Sequence, residues 1–248
     1  MKKKFRFILI GIVALLLISA GGFLLWAMNP AQPEALALES LQSDDQIRVE
    51  QLNNWLVFTP NGTSPTTGLI LYPGGRVDYR AYAPHARDIA AGGFTVVIVP
   101  MPLNLAVFGI NRAGDVIESF PHIDQWVIGG HSLGGAMAAE FARDNPAQVS
   151  GLVLWASYPG GSNDLSASSL PVLSVFASND GLATLEDIAD SRERLPGNTT
   201  FVEITGGNHA GFGWYGDQNG DGVAFLSKAE QQDQIVQATV AFLQTIGQ

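Results

Sequence analysis

The chain has 248 residues, 46% of them hydrophobic and 15% charged, with 13 Lys+Arg against 23 Asp+Glu and no cysteine. That length suits one large α/β domain or two small ones. The missing cysteine excludes a disulfide framework, a Cys-based zinc site and a thiol nucleophile. The acidic balance, a formal net charge of -10, excludes a general nucleic-acid binder, which needs basic residues to neutralise phosphate.

The charge is unevenly placed along the chain. Lys2, Lys3, Lys4 and Arg6 stand at the front, and without them residues 7–248 hold nine basic against 23 acidic residues, a formal charge of -14. Phe7 to Met28 carries no charge, and Ile8 to Ala27 is an uninterrupted run of 20 residues. As a helix such a run is about 30 Å long, the thickness of a hydrocarbon core. Residues 1–28 therefore read as a basic stub followed by a transmembrane helix or signal segment. The stub places the N-terminus in the cytoplasm and sends the rest of the chain outward. Two readings stay open: an uncleaved single-pass anchor, and a cleaved signal that would leave a secreted protein. The anchor fits the length better, because the apolar part of a signal peptide is about 7–15 residues long. Cleavage after Ile18-Ser19-Ala20 would leave much of the apolar run in place. No Cys follows the run to carry a lipid.

Residues 29–50, with Asn29-Pro30, Pro33 and no sustained strand pattern, read as a linker that contains a short helix within Glu34–Leu41. The globular domain is expected over residues 51–248. Its apolar runs alternate with helical patterns. Trp55–Phe58, Leu69–Tyr72 and Phe94–Val99 read as strands, with a helix over Tyr79–Ala91 and helical material within Leu105–Phe120. Trp126–Ile128 is the next strand, followed by two glycines and an alanine-rich helix reaching Asp144. Leu152–Trp155, Val172–Phe176 and Phe201–Ile204 are three more strands, and Ile235, Val236, Thr239, Val240 and Leu243 recur at helical spacing. Strand alternating with helix predicts an α/β fold, a mostly parallel sheet flanked by helices. Ligands bind such sheets beyond the carboxyl ends of the strands.

One residue in that position carries chemistry. Gly130-His131-Ser132-Leu133-Gly134-Gly135 lies between the strand at Trp126–Ile128 and the alanine-rich helix. A G-x-S-x-G run in that setting has a mechanical reason: a tight strand-to-helix turn leaves no room for side chains at the flanking positions. Ser132 then projects at the head of a helix, where free N–H groups favour an oxyanion. A serine nucleophile needs a base and a group that orients it. Beyond Ser132 there is one histidine, His209, in Gly206-Gly207-Asn208-His209. Asp180, in Ser178-Asn179-Asp180-Gly181, follows the preceding strand and is the expected acid, with Asp164 and Asp187 as rivals. Leu133 N–H is the expected first oxyanion donor. The second is expected from Pro73-Gly74-Gly75-Arg76, at Gly75 or at the neighbouring Arg76. The Arg76 side chain is expected to contact an acidic substrate or to pair with Asp78.

With Ser132, Asp180 and His209 placed, residues 51–248 resemble the α/β-hydrolase superfamily, and most of all its small bacterial members related to the dienelactone-hydrolase branch. The stretches that carry the resemblance are Leu71 to Gly75, Gly130 to Gly135, Ser178 to Gly181 and Gly206 to Phe212. It implies acyl transfer through an acyl-enzyme on Ser132, with His209 as the base and no cofactor. Two departures stand out. Tyr72-Pro73 precedes the early glycines where many members have a histidine, and the dienelactone enzymes use a cysteine nucleophile where this chain has Ser132. The stretch from Trp155 to Leu170 is too short for a helical cap, which predicts an open pocket.

Asp217-Gln218-Asn219-Gly220-Asp221-Gly222 matches the first half of a calcium loop, but its twelfth position is Lys228 rather than Glu. The reading favoured here is an Asn/Asp/Gly turn beside His209, with no metal. The expected function is therefore an extracytoplasmic serine hydrolase, a carboxylesterase, acting on a small-molecule ester or acyl substrate. The alternatives are a non-catalytic hydrolase-fold domain that binds an envelope partner and an acyltransferase. Oligomeric state is not legible.

Overall fold

In the computed structural model residues 2–247 are described, with side chains from Phe5 onward. Helix α1, Lys2–Ala27, leads the chain. Within it Phe5–Ala27 is, among the described residues, the one helical stretch long and apolar enough to cross a membrane, and most of its side chains are exposed.

Eight strands form one sheet: β1 Ile47–Leu52, β2 Trp55–Pro60, β3 Thr67–Tyr72, β4 Thr95–Ile98, β5 Gln125–His131, β6 Gly151–Trp155, β7 Val172–Ala177 and β8 Thr200–Ile204. Their spatial order is β1-β2-β4-β3-β5-β6-β7-β8. β3 to β8 run parallel, whereas β2 is antiparallel to both β1 and β4. Between them lie α3 (Ala83–Ala91), α4 (Arg112–Ser119), α5 (Leu133–Asp144) and α6 (Leu185–Ser191), and α7 (Lys228–Ile246) closes the fold. The helical material expected within Leu105–Phe120 resolves into a short 3-10 turn at Ala106–Phe108 and α4. No helix or strand interrupts residues 156–171, so no cap covers the site among the described residues.

The alternation of strand side chains sorts the core into two layers. Leu69, Leu71, Val96, Ile98, Val127 and Val153 pack on one face against α3 and α7. Ile70, Tyr72, Val97, Ile128 and Leu152 pack on the other against α4 and α5. Every residue of β3, β4, β6 and β7 is buried. This is why those strands read as continuous apolar runs rather than alternating ones.

The segment 29–50, expected as a linker, is built into the domain instead. It holds α2 (Ala35–Glu39), as the short-helix pattern suggested, and most of the edge strand β1. Ala31 bridges Val77, Glu34 N–H donates to the Trp214 carbonyl at 2.8 Å, and Lys228 pairs with Glu34. Only Ile47 of β1 is buried. An edge strand with one buried face position and charged neighbours carries almost no hydrophobic period, and the backbone bonds that hold it leave no mark in the sequence.

Candidate active site

Ser132 sits between β5 and α5 with φ 52 and ψ −124. That backbone conformation is uncommon for a residue with a Cβ, and in a strand-to-helix elbow it thrusts the side chain outward. The glycines around it are a steric requirement. A Cβ on Gly130 would stand 2.5 Å from the Gly134 backbone, and one on Gly134 would stand 2.3 Å from the carbonyl oxygens of Tyr72 and Pro73. The elbow is also tied to β6, with Ser132 N–H donating to the Trp155 carbonyl at 3.0 Å and Ser157 Oγ donating to the Ser132 carbonyl at 2.6 Å.

Asp180 follows β7 and His209 follows β8, and the fold brings them together: His209 Nδ1 lies 2.8 Å from Asp180 Oδ2, with both side chains buried. The other carboxylate oxygen, Oδ1, accepts from the N–H groups of Leu182 and Ala183 at 2.8 and 2.7 Å. With Nδ1 engaged, His209 Nε2 has no hydrogen-bond partner. His209, Ser132 and Leu133 line one cleft of about 290 Å³. The rivals for the acid are occupied elsewhere. Asp164 accepts from Ser166 N–H, and Asp187 caps α6 in a reciprocal pair with Thr184.

The oxyanion side sorts its candidates by their bonds. Gly74 N–H donates to the Tyr82 hydroxyl at 2.9 Å, and Arg76 N–H donates to the Asn104 carbonyl at 2.7 Å. Gly75 N–H has no such partner among the described residues, and a Cβ on Gly75 would meet Leu133 Cδ2 at 3.1 Å. Gly75 and Leu133 are thus neighbours across the entrance. The Arg76 side chain departs from both expected roles. It donates to the carbonyls of Trp26 and Asn29 at 2.9 and 2.8 Å, while Asp78 pairs with Arg80. The open carbonyls at the end of α1 draw the guanidinium more than a carboxylate already held by its own neighbour.

Three further residues shape the site without a sequence pattern that marks them for this role. The Asp221 carboxylate accepts backbone N–H groups of Gly181, His209 and Gly222 on Oδ1 and of Ala210 on Oδ2. It joins the loop after Asp180 to the turn that carries His209. Asp217 to Gly222 is therefore a turn whose second aspartate is consumed by the protein, and no cluster of metal-ligating side chains occurs among the described residues. The Tyr82 hydroxyl accepts from Gly74 N–H and lies 2.8 Å from His131 Nδ1, in a hydrogen bond between the two side chains. His131 packs flat on Phe212 and lies 4.5 Å, ring to ring, from His209. Burial first, then the His209 and His85 rings, hold its pKa well below the ordinary histidine value, so it is neutral.

Comparison with known proteins agrees with this architecture. A family model described as "Alpha/beta hydrolase family" matches residues 68–233, more than half of the chain. A search of curated proteins found no match. Among solved structures, the chain is similar to a predicted CIB-like hydrolase from Thermoplasma acidophilum, at 18% identity and a TM-score of 0.57, covering 81% of this chain and 98% of the other. It is similar to the esterase domain of a Rhodothermus marinus protein, at 12% identity and a TM-score of 0.58, covering 79% and 96%. A thermostable esterase from Pseudomonas putida gives 17% identity and a TM-score of 0.55, covering 82% and 86%. At such identities the likeness is one of fold, and nothing in it singles out the dienelactone branch. The chain belongs to the alpha/beta hydrolase family.

Proposed function

We propose that the chain is a membrane-anchored, extracytoplasmic serine hydrolase, a carboxylesterase working through Ser132, His209 and Asp180. The observation that carries this is the His209 ring, fixed through Nδ1 by Asp180 at 2.8 Å, with a free Nε2 in the cleft that Ser132 enters. In this reading His209 Nε2 takes the hydroxyl proton as Ser132 Oγ attacks the acyl carbonyl. Asp180 keeps the tautomer and stabilises the imidazolium. The tetrahedral oxyanion accepts from the N–H groups of Leu133 and Gly75. The alkoxide leaves with the proton from His209, and water repeats the sequence to free the acid and restore Ser132. No cofactor takes part.

The anchor is supported by how α1 ends. Asn104 Nδ2 donates to the Ala27 carbonyl at 2.9 Å, and Arg76 covers Trp26 and Asn29, so the catalytic domain caps the helix. A segment destined for removal has no need of those caps. The basic stub supports a cytoplasmic N-terminus and a catalytic domain on the other side.

A fluorophosphonate probe tests the reading on the detergent-solubilised full chain. Labelling is expected in the wild type and absent in Ser132→Ala, together with a loss of ester turnover of about 1,000-fold or more. Labelling or turnover that survives the substitution overturns it, and so does a folded wild type that takes no label. Product analysis with an added alcohol separates ester hydrolysis from acyl transfer.

A further inference from the structure

Exposed apolar side chains scattered over a surface need no explanation, but a group at the depth of a membrane helix's last turns does. Phe23 lies 18 residues after Phe5, the start of the apolar span, which is about 27 Å along a helix axis and so near the far boundary of a hydrocarbon core of about 30 Å. The ring of Phe108 meets that of Phe23 edge-on at 6.4 Å between centroids. Phe108 is therefore held at the level of the boundary by α1 itself. Phe108 is 53% exposed and its neighbour Val107 43%, and Trp26, on the last turn of α1, is 49% exposed. Tryptophan at that level is the usual mark of the membrane–water interface.

The same edge borders the candidate site. A cleft of about 560 Å³ is lined by Trp26, Leu105, Gly75 and Val77 together with the polar Asp217 and Gln218. Gly75 stands against Leu133, which lines the Ser132 cleft. This cleft thus borders both Trp26, on the helix that enters the bilayer, and Gly75, the proposed oxyanion glycine. The domain cannot swing away from that placement on a slack tether. Right after α1, Ala31 N–H donates to the Arg76 carbonyl at 2.7 Å and Asp78 N–H donates to the Ala31 carbonyl at 3.0 Å.

We propose that the loop Leu105–Phe108 is seated on the lipid leaflet that receives the end of α1, and that the substrates are amphiphilic acyl esters drawn from that leaflet. The second clause rests on the serine-hydrolase reading of the Ser132 cleft; the first does not. A soluble short-chain ester would gain nothing from a cleft lined by Trp26 at the membrane boundary. An ester with its alkyl part in the bilayer has its carbonyl near the interface, at the height of the cleft.

The absence of native cysteine makes the test direct. Full-length Phe108→Cys and Ala147→Cys carry an environment-sensitive fluorophore and are reconstituted in phosphatidylcholine vesicles with brominated acyl chains. Ala147 is exposed on the turn before β6, at the amino end of that strand, whereas Phe108 follows the carboxyl end of β4. Strong bromolipid quenching at residue 108 and none at 147 is expected. Equal quenching at the two positions overturns the seating, whatever the enzyme does to esters. In parallel, Val107→Asp/Phe108→Asp and wild type are assayed on a long-chain ester held in the vesicles and on a dissolved short-chain ester. The ratio of the first activity to the second is expected to fall at least about tenfold, as charges are driven out of the interface. An unchanged ratio with intact quenching at 108 overturns the substrate class. A wild type that hydrolyses neither ester while the label at 108 is quenched overturns the hydrolase reading and leaves the seating standing.

Discussion

The elbow after β5 and the loops after β7 and β8 face each other across one cleft, yet different forces hold them. The elbow is fixed by close backbone approach: Cβ atoms on Gly130, Gly134 and Gly135 would come within 2.5, 2.3 and 2.6 Å of neighbouring atoms. The other side is fixed by carboxylates. Asp180 and Asp221 collect backbone N–H groups from three separate stretches, and the His209 ring hangs on one of those carboxylates. Steric constraint forbids side chains at fixed offsets and so writes a spacing into the sequence. A hydrogen-bonded knot between distant segments only requires an acceptor somewhere along each, and writes none.

The steric side gives the larger effect. In Gly134→Ala the new Cβ would press on the carbonyl oxygens of Tyr72 and Pro73 at 2.3 Å, which are backbone atoms and have little room to yield. A loss of about 3 kcal/mol or more in stability, with ester turnover down about 100-fold or more, is expected from overpacking at the junction of β3, β5 and α5. Urea titration of the detergent-solubilised chain and a kcat measurement check it. A variant as stable and active as wild type would break the steric half of the comparison.

The hydrogen-bonded side gives a smaller, graded effect. Asp221→Ala leaves the N–H groups of Gly181, His209, Ala210 and Gly222 without their acceptor. Water reaches part of this turn, so a stability loss of about 2 kcal/mol is expected rather than a full penalty for each group. Turnover is expected to fall about tenfold to 100-fold through kcat, with KM little changed, because His209 is displaced while the Ser132 cleft keeps its walls. Asp221→Asn retains one acceptor oxygen and should recover part of the loss. If Asp221→Ala lowers stability but not kcat, Asp221 is structural only and does not position the histidine.

The same contrast sets what was legible before the fold was known. Seven strands, the elbow and the order of Ser132, Asp180 and His209 follow from apolar runs and glycine offsets, because burial on both faces and backbone clashes act on adjacent residues. β1 was hidden because it buries only Ile47. The packing of residues 29–50 was hidden because it depends on bonds to Val77 and Trp214, far along the chain. Arg76 looked like a partner for Asp78 or for a substrate, since the carbonyls it caps, of Trp26 and Asn29, lie about 50 residues away around the end of α1. Asp221 read as half of a calcium loop for a related reason: an aspartate that gathers N–H groups and one that holds a cation share the same turn residues. Tyr82, which links Gly74 to His131, lies in a helical stretch with no polar pattern to mark it.

Beneath both regions lie two histidines that neither sterics nor carboxylates neutralise. His85, on α3, packs 5.4 Å from the Trp155 ring with no protein partner for either nitrogen, and burial pushes its pKa down to about 3. His131, on the elbow strand, is held well below the ordinary value mainly by burial. In the unfolded chain each titrates near 6.5. For His85 this contribution to stability is fully present above pH 6.5 and is lost as pH falls through the window between 6.5 and about 3; for His131 it is likewise lost as pH falls below 6.5, where the unfolded chain binds protons that the folded one refuses. Each histidine steepens that acid limb by up to about 1.4 kcal/mol per pH unit. His85→Leu removes one of the two and should flatten the limb by about that amount, as read from urea midpoints between pH 7 and pH 4. A limb as steep in His85→Leu as in the wild type would show that His85 does not set the acid limit.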